Sequence, residues 1–346
     1  MHALVGHFSG LVENHCDKIQ IGRTHGQHAL PITVGFWLAT ILNRIVYNWE
    51  RMDDCCDNLT GKISGAVGAH NAQLGLHFSS KKSRQSFERK LLGKLSLRPA
   101  PISTQILPPE PLGYFLFACV SLSASLGQFG RDTRHLMRSE IAEITESFEK
   151  GQVGSSTMAH KRNPINFESI EGMWLRTKNE FGKVLDTMIS EHQRDLVGSA
   201  AARDYPIILI NLQQQINTLL KKNPAGKTFL ERLTVNERMC DLNFQKNAHV
   251  ILAEPLYIAL QMAGYDGDAH ELVNHTLMPK AQKNNCSLID VLTDLAKRDE
   301  TLAGILSNID PAICALLDNP KKYIGDAREK SLEIAAHARH IANTLT

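Results

Sequence analysis

Long stretches of helical hydrophobic periodicity constrain the fold of this chain more than any other feature of its sequence. Apolar residues recur at i, i+3, i+4 and i+7, whereas alternating strand patterns and Gly-rich hairpin turns are scarce. The pattern predicts helices over 1–17, 33–59, 69–92, 112–138, 166–189, 200–222 and 236–262, followed by shorter ones. Several of these exceed the mean helix length of about 11 residues. We therefore predict an all-α fold built as a bundle of long helices.

Breaks in this pattern suggest the domain organisation. Proline and glycine cluster at 99–111, at 151–164 and at 223–226. We expect a central helical-bundle domain over 1–232, which contains the loop 151–164, and a smaller C-terminal helical domain over 233–346. Long helices that are apolar on several faces usually pack against other subunits, so an oligomer is expected.

Charge and cysteine content exclude several classes of function. The chain has 38 Lys and Arg against 36 Asp and Glu, a formal net charge of +2, without a basic block. Binding to nucleic acid or to a membrane surface through bulk charge is therefore not expected. Seven cysteines are scattered without a CxxC pair, which predicts neither a disulfide framework nor a zinc site and fits a reducing cytoplasm.

One uncharged stretch, 111–130, has about the length needed to cross a bilayer. Ser121, Ser123, Ser125 and Gln128 dilute its hydrophobicity, and a charged segment follows without a break. Such polar content favours a buried helix of a bundle over a membrane span.

A short polar run, rich in glycine and histidine, lies at Gly22–His28 (GRTHGQH). Glycine lets the backbone approach a ligand closely, and an imidazole can exchange a proton near neutral pH. His25 is therefore a candidate acid or base. From these residues alone, a histidine that only caps the loop remains the alternative interpretation.

The loop 151–164 combines two glycines with paired serines, Ser155 and Ser156, and with the donors Lys161 and Asn163. Lysine and asparagine so placed can converge on one anion. A serine would act as a base only if cations and N–H groups stabilised its alkoxide and water were excluded. A polar loop that merely precedes a helix remains the alternative.

A third polar cluster lies at Gln193–Asp195 (QRD), with Ser199 and Arg203 after it. On a helix, Ser199 and Arg203 would share one face at i and i+4, a spacing that suits two donors to one phosphate. A solvated charged face is the alternative. Gln105 is a further polar candidate in the Pro-rich connection. HExxH, Walker A, GxGxxG and EF-hand patterns are absent from the sequence, so metal, P-loop and dinucleotide sites have no motif support.

The run GSSTMAHKRNP at 154–164 resembles the signature loop of the fumarase/aspartase superfamily, whose members release fumarate by β-elimination. Within that superfamily, four further runs are most similar to the adenylosuccinate lyase family. They are THGQ at 24–27, STQ at 103–105, QRD with Ser199 and Arg203, and LAEPLYIAL at 252–260 together with 320–327.

This resemblance implies roles for single residues. Ser155 matches the catalytic base that takes a proton from the succinyl Cβ, and His25 matches the acid that protonates the departing nitrogen. Lys161 and Asn163 match the groups that hold the succinyl carboxylates and stabilise the carbanion. The resemblance further implies phosphate binding by Arg194, Ser199 and Arg203, and substrate contacts by Thr24, Gln105 and Ser156.

The resemblance also implies the wider properties of the family. These are a small nucleotide substrate, no cofactor or metal, and a cytoplasmic homotetramer whose active sites each draw on three subunits. Measured against that family, the chain begins inside the central helical domain, so the family's N-terminal domain is absent. We expect a chain without that domain to be weakly active or inactive.

Two other interpretations stay open. One is a different lyase of the superfamily or a carboxymuconate cycloisomerase, although a phosphate-binding set does not suit a substrate that lacks phosphate. The other is a non-catalytic structural bundle, which the missing N-terminal domain makes conceivable.

Overall fold

A computed structural model describes residues 1–77, 83–146, 158 and 160–345 of the chain, with the backbone alone at 83–86. The structure is mostly helical, and the prediction of an all-α fold is confirmed. The elements of the first part are α1 (His2–Asn14), β1 (Ile19–Thr24), β2 (Gln27–Thr33), α2 (Val34–Asp57), β3 (Thr60–Gly61), α3 (Asn71–Gly75), α4 (Ser83–Gly93), β4 (Arg98–Pro99), α5 (Glu110–Leu136), β5 (Ile144–Thr145), α6 (Ile165–Asp186), α7 (Ser199–Ala202) and α8 (Tyr205–Leu220).

The second part continues with short elements. They are a 3-10 turn (Leu230–Arg232), β6 (Thr234–Val235), α9 (Glu237–Gln245), α10 (Ala253–Met262), α11 (Ala269–Glu271), a π-helical segment (Leu272–Leu277), α12 (Met278–Asn284), α13 (Leu288–Ala296), α14 (Glu300–Asn308), α15 (Pro311–Leu317), a 3-10 turn (Pro320–Lys322) and α16 (Ala327–Thr344). Each short strand pairs with one other: β1 with β2, β3 with β4, and β5 with β6.

The long helices α2, α5 and α6 form the centre of the bundle. Thr33 caps the start of α2, because its side chain accepts a hydrogen bond from the Phe36 N–H at 3.0 Å. Glycine lets α5 and α6 approach closely: a Cβ on Gly130 would lie 2.9 Å from the carbonyl oxygen of Phe167. The Phe129 ring packs edge-on against Phe167, with ring centroids 5.5 Å apart. A bulkier residue at position 130 would therefore force these two helices apart.

The three central helices run antiparallel to their neighbours. Trp37 near the start of α2 donates to Asp132 near the end of α5, at 3.1 Å. Phe117 near the start of α5 packs against Phe181 near the end of α6. The bundle therefore has two ends. One end of the bundle contains the first residues of α2 and α6, and we call it the hairpin end because β1 and β2 lie there. We call the opposite end the cavity end, after the cavity described below.

A second apolar core lies in the later part of the chain, among buried residues of the segment from Leu252 to Leu317. Ser287 and Asp290 form a capping box at the start of α13 within it. The last helix, α16, instead packs on α1 and α2, and its Ala335 and Ala338 are fully buried in the first core. Thus α16 joins the bundle, although it falls within 233–346.

Three predicted helices are wrong in their continuity. The predicted helix 69–92 is interrupted, because His70 and His77 adopt left-handed backbone angles (φ 56° each) that a right-handed helix excludes. The predicted helix 236–262 is two helices, α9 and α10, with turns between them. The predicted helix 200–222 is also divided, and α8 restarts with Pro206 in its first turn, where the missing N–H costs nothing.

Within the described residues, α5 is long and apolar enough to cross a membrane by length and composition, as are α14 and α15 if counted as one bent span. Half of the apolar window of α5 is buried inside the bundle. This helix packs against α2, α6 and α8, which is the position of a core helix.

Candidate functional site

The THGQ run forms the turn of a β-hairpin that the sequence did not predict. Thr24 pairs with Gln27, so His25 and Gly26 are the two turn residues. Both have positive φ, 53° and 76°, as a two-residue type I′ turn requires. Positive φ is uncommon for a residue with a Cβ, so the geometry of the hairpin holds His25 in a strained backbone conformation. His25 and Thr24 are exposed at the tip of this hairpin.

A buried carboxylate fixes the base of the hairpin. Glu143 is fully buried and accepts hydrogen bonds from Arg23 at 2.6 and 3.0 Å, from Gln20 at 2.8 Å and from Asn243 at 2.9 Å. A buried charge needs such partners, and removing them would leave it uncompensated. Glu143 therefore ties β1 to α9 and holds the turn that presents His25.

His28 stands on β2, after the turn. Burial, together with the positive charge of Arg23, lowers the pKa of its ring. The Asn247 side-chain amide donates to His28 Nδ1 at 3.1 Å, which suits the neutral ring. His28 is thus a structural contact between the hairpin and the turn after α9.

Lys161 and Asn163 lie just before α6, at the hairpin end of the bundle. Lys161 is exposed, and its backbone N–H donates to Met158 O at 3.0 Å. Asn163 is half-buried, and its carbonyl oxygen accepts from the Ile165 N–H at 2.9 Å. Ser155 and Ser156, and with them most of the predicted signature loop, lie outside the described residues.

A cavity of about 470 Å³ opens at the cavity end. Arg194 and Ser199 line it, as does Asp195. Most of the remaining wall is apolar. It includes Leu59, Leu97, Ile106, Leu107, Pro108, Leu112, Ile189 and Tyr205. The cavity therefore combines a cation, a carboxylate and a hydroxyl with an extended apolar surface.

Gln105 lies beside this cavity rather than in its wall. Its backbone N–H donates to Gln193 O at 3.3 Å, and its carbonyl oxygen accepts from Lys62 Nζ at 3.0 Å. The STQ and QRD runs, which are far apart in sequence, are thus in direct contact. The Gln193 Oε1 atom is buried and has no hydrogen-bond partner within the described residues.

Asp195 organises the loop that carries Arg194. Its carboxylate accepts from Ser190 Oγ at 2.7 Å, from the Glu191 N–H at 2.7 Å and from the Val197 N–H at 2.6 Å. The bond from Ser190, followed by those from the backbone, holds the pKa of Asp195 below its usual range. The loop geometry therefore depends on an ionised Asp195.

Arg203 follows α7 directly and is exposed, and it does not belong to the described wall of the cavity. The neighbouring Asp204 accepts from Lys183 Nζ at 2.5 Å, which ties this turn to α6. Tyr205 and Thr187, both in the cavity wall, also form a hydrogen bond with each other. Ser199 and Arg203 were predicted to share one face of a helix. In the structure α7 ends at Ala202, so Ser199 is its first residue and Arg203 only caps its end.

The structure separates the predicted site residues into two sets. Thr24, His25, Lys161 and Asn163 lie at the hairpin end, whereas Gln105, Arg194, Ser199 and Arg203 lie at the cavity end. The 24 residues of α2 run between these ends, which at 1.5 Å per residue is about 36 Å. Within one chain, the two sets therefore cannot contact one small molecule.

Sequence reasoning missed two groups that hold the site. Glu143 belongs to none of the sequence motifs, and its partners lie about a hundred or more positions away. Asp195 lies within the QRD run, but the sequence does not show that its carboxylate orders the loop through Ser190 and backbone N–H groups. Groups of three or more His, Cys, Asp or Glu residues that could hold a metal ion do not occur within the described part of the chain.

Comparison with known proteins places these features in a family. A family model described as "Lyase" matches residues 1–177. Adenylosuccinate lyase of Pyrococcus horikoshii is 34% identical over 324 residues, which cover 92% of this chain and 66% of the relative. The N-acetyl-S-(2-succino)cysteine lyase of Dickeya dadantii is 29% identical over 333 residues, covering 95% of this chain and 68% of the relative. The chain thus spans 66% of the length of the Pyrococcus protein.

Solved structures show the same fold. The 3-carboxy-cis,cis-muconate lactonizing enzyme of Pseudomonas putida superposes with a TM-score of 0.78 at 24% identity, covering 98% of this chain and 72% of that one. A fumarate lyase of Mesorhizobium superposes with a TM-score of 0.75 at 21% identity, covering 96% and 70%. At these identities the likeness concerns the fold alone.

Proposed function

The chain belongs to the lyase family of the fumarase/aspartase superfamily, and on this premise we propose that the protein cleaves adenylosuccinate into AMP and fumarate. The same elimination would release fumarate from succinylaminoimidazolecarboxamide ribotide in purine synthesis. The observation that carries this proposal is the cavity where Arg194 and Ser199 stand beside an apolar wall. A guanidinium and a hydroxyl suit a phosphate, and the apolar wall suits a nucleobase.

The proposed chemistry uses Ser155 together with residues at the hairpin end. Ser155 takes the proton from the succinyl Cβ, and the electron pair of that C–H bond becomes the double bond of fumarate as the C–N bond breaks. His25 gives its proton to the departing nitrogen. Lys161 and Asn163 stabilise the negative charge that grows on the succinyl carboxylate, where such donors contribute most. The exposed position of His25 at a hairpin tip suits contact with a substrate held by another subunit.

We propose that the protein is a homotetramer with shared active sites. The two sets of site residues, about 36 Å apart along α2, would meet only if the cavity end of one copy lay against the hairpin end of another. Large apolar side chains on α5 and α8 support such an assembly, since Tyr114 is 65% exposed, Phe117 55% and Ile210 63%. Exposed apolar surface of this kind marks an interface more often than a solvated face.

A thioether substrate is the second candidate, because the Dickeya relative is named for N-acetyl-S-(2-succino)cysteine. That compound has the same succinyl group but no phosphate. Arg194 should therefore matter for adenylosuccinate and not for the thioether. A carboxymuconate substrate would likewise make no use of a phosphate site.

The test offers the full-length protein adenylosuccinate, N-acetyl-S-(2-succino)cysteine and carboxymuconate, and measures fumarate release or cyclisation. We expect adenylosuccinate to be preferred. Arg194→Ala should raise the KM for adenylosuccinate by 10-fold or more, about the 1.5–3 kcal/mol of a charged hydrogen bond, and leave the KM for the thioether unchanged.

Arg98→Ala is the matched control, because Arg98 is exposed next to the wall residue Leu97 but is not part of the described wall. It should leave both KM values unchanged. Turnover of the thioether or of carboxymuconate without turnover of adenylosuccinate would contradict the proposal. A folded protein inert toward all three would favour the structural bundle.

A further inference from the structure

Glu146 links the residues on the two sides of the segment 147–164, which contains the predicted loop 151–164 and lies mostly outside the described residues. It directly follows β5, and its side chain reaches the first turn of α6 on the far side of the loop. Its Oε1 accepts from the Asn166 N–H at 3.0 Å and from the Phe167 N–H at 3.3 Å, while Oε2 accepts from Asn166 Nδ2 at 2.8 Å. Glu146 is 2% exposed. One buried carboxylate thus bonds across the base of the loop.

These bonds replace a cap that α6 lacks locally. Pro164 occupies the N-cap position and has no side-chain oxygen, so it cannot bond the free N–H groups of the first turn. Glu146 supplies that acceptor from twenty positions earlier in the chain. The start of α6 and the end of β5 therefore fix each other's position.

The far side of this contact is rigid. Phe167 is fully buried, and its ring packs against Phe129 and Phe229 with centroids 5.5 and 5.1 Å away. A carboxylate bonded to the Phe167 and Asn166 N–H groups is therefore attached to the aromatic core of the bundle. Asn163 lies two positions before α6, and Lys161 lies four positions before it. The contact between Glu146 and the first turn of α6 therefore constrains the backbone of both residues.

The arrangement carries a cost that a purely structural contact could avoid. The groups that donate to Glu146, on Asn166 and Phe167, are neutral amides. Burial raises the pKa of its carboxyl, although its hydrogen bonds act in the opposite direction. Keeping an ionised carboxylate in such a place costs free energy, which its hydrogen bonds offset in part. A contact that serves stability alone could avoid this cost with an apolar side chain.

We propose that Glu146 is a positioning residue for the lyase reaction: by bonding Asn166 and Phe167 across the loop base, it sets where Lys161 and Asn163 meet the succinyl group. This inference rests on the proposed function. A displacement of about 1 Å at such groups can reduce the rate on the order of 100-fold. The phosphate contacts of Arg194 and Ser199, at the other end of the bundle, do not depend on Glu146.

Glu171 offers a matched control on the same helix. It too is a buried carboxylate of α6, but it accepts from Arg131 at 2.8 Å and from Arg134, both on α5. Its removal should therefore destabilise the bundle without loosening the base of the loop.

The experiment compares Glu146→Ala, Glu146→Gln and Glu171→Ala in the full-length protein. It measures kcat with adenylosuccinate, affinity for AMP, and hydrogen exchange of the amides of residues 160–167. We expect Glu146→Ala to lower kcat 10- to 100-fold, to leave AMP affinity unchanged and to speed exchange at Asn166 and Phe167. Glu146→Gln should recover most of kcat, because a glutamine Oε1 accepts the same two backbone N–H groups.

Glu171→Ala should lower the melting temperature and leave kcat and loop-base exchange near wild type. The proposal is overturned if Glu146→Ala keeps wild-type kcat, if it loses AMP affinity in parallel, or if Glu171→Ala reduces kcat equally. A wild type inactive on every succinyl substrate overturns the proposed function instead. In that case, unchanged hydrogen exchange at the Asn166 and Phe167 amides in Glu146→Ala would still contradict the proposal that Glu146 holds the start of α6.

Discussion

The separation of the site residues predicts that two inactive variants restore activity to each other. His25 and Arg194 lie at opposite ends of the bundle, about 36 Å apart along α2. An active site that uses both must take them from different copies. His25→Ala and Arg194→Ala should each be impaired alone, whereas a mixed oligomer contains sites with an intact residue from each variant.

The expected recovery of activity follows from the fraction of sites in a mixed oligomer that have both residues intact. In a randomly mixed 1:1 assembly, half of the copies have an intact His25 and the other half an intact Arg194. A site that draws the two residues from two copies is then intact about one time in four, so about a quarter of wild-type fumarate release should return. The assay co-expresses the two variants with different tags, isolates doubly tagged oligomers and follows fumarate.

A control pair separates this effect from simple mixing. Arg194 and Ser199 line the same cavity in one chain. Oligomers of Arg194→Ala with Ser199→Ala should therefore recover no activity, because no copy has an intact cavity. Verified mixed oligomers of His25→Ala with Arg194→Ala that stay inactive would refute the reasoning, as would equal recovery in the control pair.

Two further predictions concern stability. Burial favours protonation of Glu171, but the hydrogen bonds and charges of Arg131 and Arg134 hold the pKa of its carboxyl below the usual range. Its contribution is therefore complete above the ordinary carboxyl pKa and is lost as the pH falls through the lowered value. Urea unfolding should accordingly show wild type more stable than Glu171→Gln at neutral pH, with a gap that narrows in acid; a gap that widens in acid would contradict this assignment. Gly68 has φ +76°, and a Cβ there would lie 2.0 Å from Ser103 O, whereas Gly65 has φ +84° and open space around it. Gly65→Ala should cost about 1 kcal/mol for its backbone angle and Gly68→Ala clearly more, as measured by chemical unfolding; equal costs would mean that the close approach to Ser103 is unimportant.

The central helices were predictable because local signals agree with their packing. The predicted helices 33–59, 112–138 and 166–189 correspond to α2, α5 and α6 within a few residues. Thr33 supplies a cap for α2, and apolar periodicity marks the buried faces. The hairpin β1–β2 was missed, because contacts to the distant Glu143 hold it and its own pattern of alternation is weak.

The candidate site was predictable in its residues but not in its arrangement. Motif resemblance singled out His25, Lys161, Gln105 and Arg194, yet a linear sequence contains no signal that the first two lie at the opposite end from the last two. Only the antiparallel course of long helices separates them. The role of Glu146 was hidden for a related reason, since its partners lie beyond the loop that it closes.

The activity that we propose is the elimination of fumarate from a succinylated nucleotide. The most direct measurement incubates the full-length protein with adenylosuccinate and quantifies AMP and fumarate together. We expect equimolar AMP and fumarate, and a turnover rate about 100-fold or more lower in His25→Ala, the range typical of a lost acid or base. Equal turnover by wild type and His25→Ala, or no AMP from a folded wild type, would contradict it.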